Sequence, residues 1–212
     1  GLPQYLAALR GKYVAGSRIA AIVMNANPFT NGHRYLVEKA ARENDVVHLF
    51  VLSEDLSHYP GSVRLALVQA GIAPLKNVHV HPTGDYIISA ATFPSYFLRE
   101  DDDVTTIQAR LDARIFKEHI APALGITKRY VGHEPYSAAT AIYNQALQQE
   151  FAGAPQLEIV ERLRADGEYI SASRVRELIA NGNLEAVRPL VPPTTFAYLQ
   201  GGELPESGNP RP

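Results

Sequence analysis

IAAIVMNANPFTNGHRYLVEKAA, residues 19–41, sets a short apolar run against an amphipathic one and places three chemically distinct residues where they meet. Ile19–Met24 has the brevity and branched side chains of a strand covered on both faces. From Arg34 onward, Tyr35, Leu36, Lys39, Ala40 and Ala41 recur at helical spacing. Between the two runs stand Thr30, Gly32 and His33. Glycine lets a ligand approach the backbone, and the start of a helix offers unpaired amide donors and the positive end of a dipole. Thr30 and His33 are three apart, so on a first helical turn both can face one anion. The bland alternative is a threonine N-cap followed by a solvent-facing histidine. Arg34 opposes the helix dipole and calls for a negative partner nearby.

Outward from this seam the alternation continues. Val46–Leu52, Val78–Pro82, Lys128–Gly132 and Leu157–Glu161 read as strands. Residues 62–72, 104–124, 137–151 and 171–182 read as helices, the first ending near Gly71 and the last closed by Gly182. Short apolar strands alternating with amphipathic helices predict an α/β fold with a doubly wound, parallel, five-stranded sheet. Ligands of such sheets sit at the carboxyl ends of strands, where strand order reverses, which is where the residues after Met24 fall. Residues 1–18 are expected to form an N-terminal extension or linker and 19–200 the folded domain. The Gly/Pro-rich 201–212 is expected to be a disordered tail.

Composition narrows the function. Twenty Lys+Arg against 22 Asp+Glu give a net charge of -2, so neither a nucleic acid nor a membrane surface is an expected partner. No cysteine is present, which excludes disulfides, thiolate metal sites and a cysteine nucleophile. No apolar run approaches the roughly 18 residues that span a bilayer, and the opening lacks the order of a signal peptide, so the cytoplasm is the default location.

A second segment, YISASRVRELI (169–179), also joins a strand to a helix. Ser171 and Ser173 can cap that helix. Arg174 and Arg176 both fall in its first turn, which the dipole disfavours by about 0.3–1 kcal/mol each. Two such placements at the ends of separate strands point to a shared polyanion, and a nucleoside triphosphate fits.

NPFTNGH and ISASRVR resemble the (H/T)xGH and ISSTxxR motifs of the nucleotidyltransferase superfamily, with threonine in the first position. Longer stretches, IVMNANPFTNGHRYLVEKAA, DYIISAATFPSYF, IAPALGI, VGHEPY, YNQAL and ISASRVREL, resemble the [citrate (pro-3S)-lyase] ligase family from about Ile19 to Gln200. The resemblance implies a Rossmann-like nucleotidyltransferase (HUP-type) sheet. It also implies an enzyme that uses ATP and Mg²⁺ to adenylate acetate, releasing pyrophosphate. The acetyl group then passes to the thiol of the phosphoribosyl-dephospho-CoA group on the citrate lyase acyl carrier subunit. Thr30, His33, Ser173 and Arg176 are the implied catalytic residues. Asn25, Asn27, Pro28, Phe29, Gly32, Gly132, Glu134, Ile170, Ser171 and Arg174 are the implied nucleotide-binding residues, with Glu134 placed to take a ribose hydroxyl or an amino group. No protein ligand for the metal is assigned. Family members usually carry an N-terminal acetyltransferase-like domain, so the chain is expected to be a fragment or a shortened member. YPGSVR (59–64) lacks the acidic residues expected just before Arg64.

Other segments allow two readings. TFPSYF (92–97) is an aromatic stretch in a long connection and is favoured as a wall for acetate or the pantetheine arm. His79 and His81 share a strand face but have no evident third metal ligand, and His48 reads as a hydrogen-bonded core residue. REDDD (99–103) reads as a solvated loop and helix start. Two further functions compete with the first. One is an adenylyltransferase for phosphopantetheine or nicotinate mononucleotide, and the other a nucleotide-binding module without chemistry.

Overall fold

A computed structural model describes residues 1–53, 57–84, 102–136 and 138–206. In chain order the elements are α1 (Leu2–Arg10), β1 (Ile19–Met24), α2 (Asn31–Glu43), β2 (Val46–Val51), α3 (Gly61–Gly71), β3 (Val78–Pro82) and α4 (Asp102–Ile115). Helix α4 runs through a π-helical turn (Phe116–Ile120) into α5 (Ala121–Leu124). Then come β4 (Lys128–Gly132), α6 (Ala138–Glu150), β5 (Gln156–Val160) and a hairpin of β6 (Arg164–Ala165) and β7 (Glu168–Tyr169). Helix α7 (Ala172–Ala180), a 3-10 turn (Glu185–Leu190) and α8 (Pro193–Leu199) complete the series.

The five long strands form one sheet in the order β3-β2-β1-β4-β5, every neighbouring pair parallel. Strand order reverses between β1 and β4, so the expected doubly wound sheet is present and the carboxyl end of β1 lies at its switch point. All six residues of β2 are buried, as a central parallel strand requires. Ala21, Val46, Phe50 and Leu52 pack on one side with α1, α4, α5 and α6. Ala20, Ile22, Val47 and Leu49 pack on the other, with α2 and α3.

Residues 1–18, expected as an N-terminal extension or linker, contain α1, which buries Leu6 and Leu9 against the first of these layers. Beyond β5, α7, the 3-10 turn and α8 enclose a small apolar cluster of Val175, Leu178, Val187, Val191 and Phe196. This satellite holds the first turn of α7 beside the switch point.

Candidate active site

The chain leaves β1 through Ala26, a buried residue at φ 53, and a cis Asn27–Pro28 bond. Thr30 then caps α2 from an extended conformation. Its Oγ1 accepts the main-chain N–H of His33 at 3.3 Å, and its own N–H donates to Nδ1 of His33 at 3.0 Å. A main-chain N–H can only donate, so Nδ1 is an acceptor and the proton of the neutral ring is assigned to Nε2. The ring stacks on Phe29 with centroids 5.8 Å apart. Burial and, second, the Arg162 guanidinium push the His33 pKa down to about 3. His33 is therefore a neutral imidazole offering one N–H.

Thr30 is buried and its hydroxyl lies 2.9 Å from Nδ1, where it orients His33. Phe29 is wholly enclosed in the core, where its ring backs His33 and leaves no room for a side chain at Gly71.

Asn25 and Asn27 also hold the loop. The Asn25 amide donates to Ser57 Oγ at 3.0 Å, and its Oδ1 accepts from Arg64 Nη1 at 2.9 Å. Asn27 Oδ1 accepts the N–H of Tyr59 at 3.0 Å. Arg64 is fully buried and donates to the main-chain oxygens of Tyr59, Asn25 and Leu52 at 2.9, 2.9 and 2.7 Å. The arginine whose role the sequence left open is thus a brace for the β1–α2 loop.

The second motif meets this loop directly. Arg176 Nη1 donates to the main-chain oxygen of Asn27 at 2.6 Å, across 149 residues of sequence. Its Nη2 donates to Ser173 Oγ at 3.2 Å, leaving that hydroxyl's own proton for a ligand. Ser171 caps α7 by accepting the N–H of Arg174 at 3.1 Å. The Arg174 side chain stands near Glu168 and Glu177, at 3.9 and 3.5 Å. Gly32 serves this approach: a Cβ there would lie 3.4 Å from the main-chain oxygen of Ile170. Its small size brings the two motifs together.

The far wall comes from β4 and β5. A Cβ on Gly132 would meet nothing within 4 Å, so the surface there is open to a ligand. Glu134 accepts from Tyr136 N–H at 2.8 Å and from Arg162 Nη2 at 2.6 Å. Arg162 also donates through Nε to the main-chain oxygen of His133 at 2.8 Å. Sequence reading passed over Arg162, although a cation immediately beyond an apolar strand was the available signal. Its pairing with Glu134 occupies one carboxylate oxygen expected to meet ribose.

Two connected cavities result. An inner slot of about 220 Å³ runs past Val23, Val131, Tyr143 and Asn144. An outer trough of about 710 Å³ is lined by Ser171, Ser173, Arg174 and Arg176. Both include Asn25, His33, Glu134 and Arg162, so the imidazole stands where they join. Residues 19–199 match the family described as Citrate lyase ligase C-terminal domain. The chain belongs to that family. It is 47% identical over 205 residues to the [citrate [pro-3S]-lyase] ligase of Escherichia coli K12, covering 94% of this chain and 58% of the relative. It is 48% identical over 197 residues to the Klebsiella pneumoniae ligase of the same name, covering 91% of this chain and 57% of the relative. The chain thus spans just under three fifths of the curated relatives it matches.

Solved structures carry the same fold at low identity. TmcAL of Thermotoga maritima, solved with alpha-thio ATP, superposes with a TM-score of 0.58 at 16% identity, over 87% of this chain and 55% of that one. Pantothenate synthetase of Thermus thermophilus gives a TM-score of 0.52 at 20% identity, over 93% of this chain and 75% of that one.

Away from the site, His48 Nδ1 and His81 Nε2 lie 2.8 Å apart in the core. Burial lowers their pKa values to about 4 and about 3. Among the described residues no three His, Cys, Asp or Glu side chains are grouped to hold a metal. Nor is any helix among them long and apolar enough to cross a membrane. TFPSYF and residues 99–101 of the acidic run lie outside the described residues.

Proposed function

We propose that this domain binds ATP across the two cavities and joins acetate to its α-phosphorus, the first half of an acid–thiol ligation. The observation that carries this reading is the convergence of His33 and Arg176 on one trough, with Arg176 tied to the loop that delivers His33. Nucleoside and α-phosphate lie against the β4 end and His33. The β- and γ-phosphates lie toward the first turn of α7, where Ser173, Arg176 and the helix N-terminus offer donors.

Acetate is ionised at neutral pH, so its attack needs no general base. An oxygen lone pair forms the new O–P bond while the bond to the β-phosphate breaks and its electron pair leaves with pyrophosphate. The chain's contribution is in-line placement and donors aimed at the phosphoryl oxygens. Nε2–H of His33 is one such donor, the ring kept neutral by burial and Arg162 and fixed in direction by Thr30. In the second half, the carrier's prosthetic thiol attacks the acyl carbon and AMP leaves. This step needs no enzyme nucleophile, in keeping with a chain that has no cysteine. The relatives' names and the family membership support citrate lyase, through its acyl carrier subunit, as the acceptor. Mg²⁺, when bound, would be held mainly by the substrate phosphates and would offset their charge, since among the described residues no three His, Cys, Asp or Glu side chains are grouped to hold a metal.

The test is exchange of labelled pyrophosphate into ATP. Exchange that depends on acetate supports the reading. Exchange that needs phosphopantetheine or nicotinate mononucleotide replaces it with an adenylyltransferase, and ATP binding without any exchange replaces it with a binding module.

A further inference from the structure

Arg129, the second residue of β4, is 2% exposed, and its Nε and Nη1 have no hydrogen-bond partner among the described residues. Its guanidinium carbon lies 4.5 Å from the Phe116 ring centroid and 5.9 Å from that of Tyr143. The Tyr143 side chain also takes a hydrogen bond from this guanidinium, but ring faces do not satisfy N–H groups that lie in the cation's own plane, and Nε and Nη1 stay unmatched among the described residues. Arg64 provides a contrast within the same protein: equally buried, it spends its donors on three main-chain oxygens. Among the described residues, Nε and Nη1 of Arg129 meet no such oxygens.

Nor is Arg129 held in an ion pair among the described residues. Asp112 on α4 attracts this cation but accepts its hydrogen bond from Gln108, at 3.3 Å. Asp112 Oδ2 is itself buried without a partner among the described residues. Burial holds the Asp112 pKa up at about 7 despite this cation, so much of the group is uncharged near neutrality. Arg129 lines the inner slot, with Val23, Val131 and Tyr143 as walls and His33 at the junction with the outer trough. A buried cation with unmatched donors in a small, largely apolar slot suits a short-chain carboxylate.

We propose that Arg129 anchors the carboxylate of the acid substrate in the inner slot, its alkyl group resting against Val23 and Val131. The assignment rests on the adenylation reading above and names the substrate subsite within it. One carboxylate oxygen takes a guanidinium N–H while the other attacks phosphorus. Arg129 itself gains and loses no proton. The slot's volume of about 220 Å³ favours an acid of a few carbons.

The experiment is pyrophosphate exchange at varied acetate, comparing the wild type with Arg129→Lys and Arg129→Gln. The acetate KM is expected to rise about tenfold in Arg129→Lys and about a hundredfold or more in Arg129→Gln, with the ATP KM moving less than about twofold. An unchanged acetate KM in both variants, or a change confined to melting temperature, overturns the assignment. Should the variants not fold, intermolecular NOEs in the wild type decide. Contacts from the acetate methyl to Val23 and Val131 methyls support the site, and contacts only to residues outside the slot overturn it. If the wild type exchanges with no acid at all, the adenylation reading falls, and the NOE result still judges the carboxylate site by itself.

Discussion

The main-chain N–H of Thr30 donates to Nδ1 of His33, and this single bond decides which side of the imidazole carries the proton. Replacing His33 with Asn keeps an acceptor close to the Nδ1 position and removes the Nε2 donor. Acetate-dependent pyrophosphate exchange is expected to fall about 10²–10³-fold, the usual effect of deleting one transition-state donor. Melting temperature is expected to move by no more than about 2 °C. Undiminished exchange would remove His33 from the chemistry.

Arg176 is expected to matter chiefly for binding the polyphosphate, beside its bond to the Asn27 loop. Arg176→Ala should weaken both ATP and pyrophosphate binding about 10–100-fold, the range of a charge-assisted hydrogen bond, when titrated calorimetrically. The acetate KM should stay within about twofold. A selective loss of acetate binding would move this arginine to another part of the site.

Gly71 lies on α3, away from any ligand, yet a methyl group there would run into the Phe29 ring. Phe29 is enclosed and cannot yield without disturbing His33. Gly71→Ala is therefore expected to cost about 1–3 kcal/mol, read as a melting temperature lower by about 3–10 °C. Exchange activity should fall with it, although the substitution touches no catalytic group.

Arg64→Met should be costlier. It strips the donor from three loop oxygens at once, and a loss of about 3 kcal/mol or more is expected in urea unfolding. A loss below about 1 kcal/mol would mean that water replaces the guanidinium there.

Acid should destabilise the fold. His33, His48 and His81 have folded pKa values of about 3, 4 and 3, below the ordinary 6.5. Between those values and 6.5 the unfolded chain binds more protons, so their contribution is lost as pH falls below 6.5. Asp112 has the opposite sign: raised from 3.8 to about 7, it contributes stability that is lost as pH rises through that window. Three groups outweigh one, and melting temperature is expected to drop from about pH 7 to about pH 5. Asp112→Asn should steepen the drop. A profile that is flat or rises toward acid contradicts this balance.

The sheet was largely legible because parallel strands buried on both faces must be short, apolar and branched. Ile19–Met24, Val78–Pro82 and Lys128–Gly132 have the expected bounds, and β5 differs by one residue at each end. Charge placed against a helix dipole marked the two motifs that meet at the cavities, yet Arg34 finds its negative partner in Glu38 at 2.8 Å, and Arg174 stands near Glu168 and Glu177. Three buried or half-buried arginines show where that legibility ends. Arg64 was expected to need acidic neighbours and uses carbonyl oxygens, which are invisible in side-chain sequence. Arg129 looked like one letter of a strand, since strand periodicity says nothing about whether a buried charge is satisfied. Arg162 gains meaning only through Glu134, 28 residues earlier. Packing adds what the motif positions of Thr30 and Phe29 do not state, since one orients the His33 ring and the other backs it.

The β6–β7 hairpin turns at Asp166 and Gly167, both with positive φ and both exposed. Every strand of the main sheet precedes it, while Arg176 follows. One severed peptide bond at that bend would leave the scaffold whole and hold the phosphate clamp only by noncovalent docking. Proteolytic inactivation at this point would thus be a loss of grip, with no collapse of the body behind it.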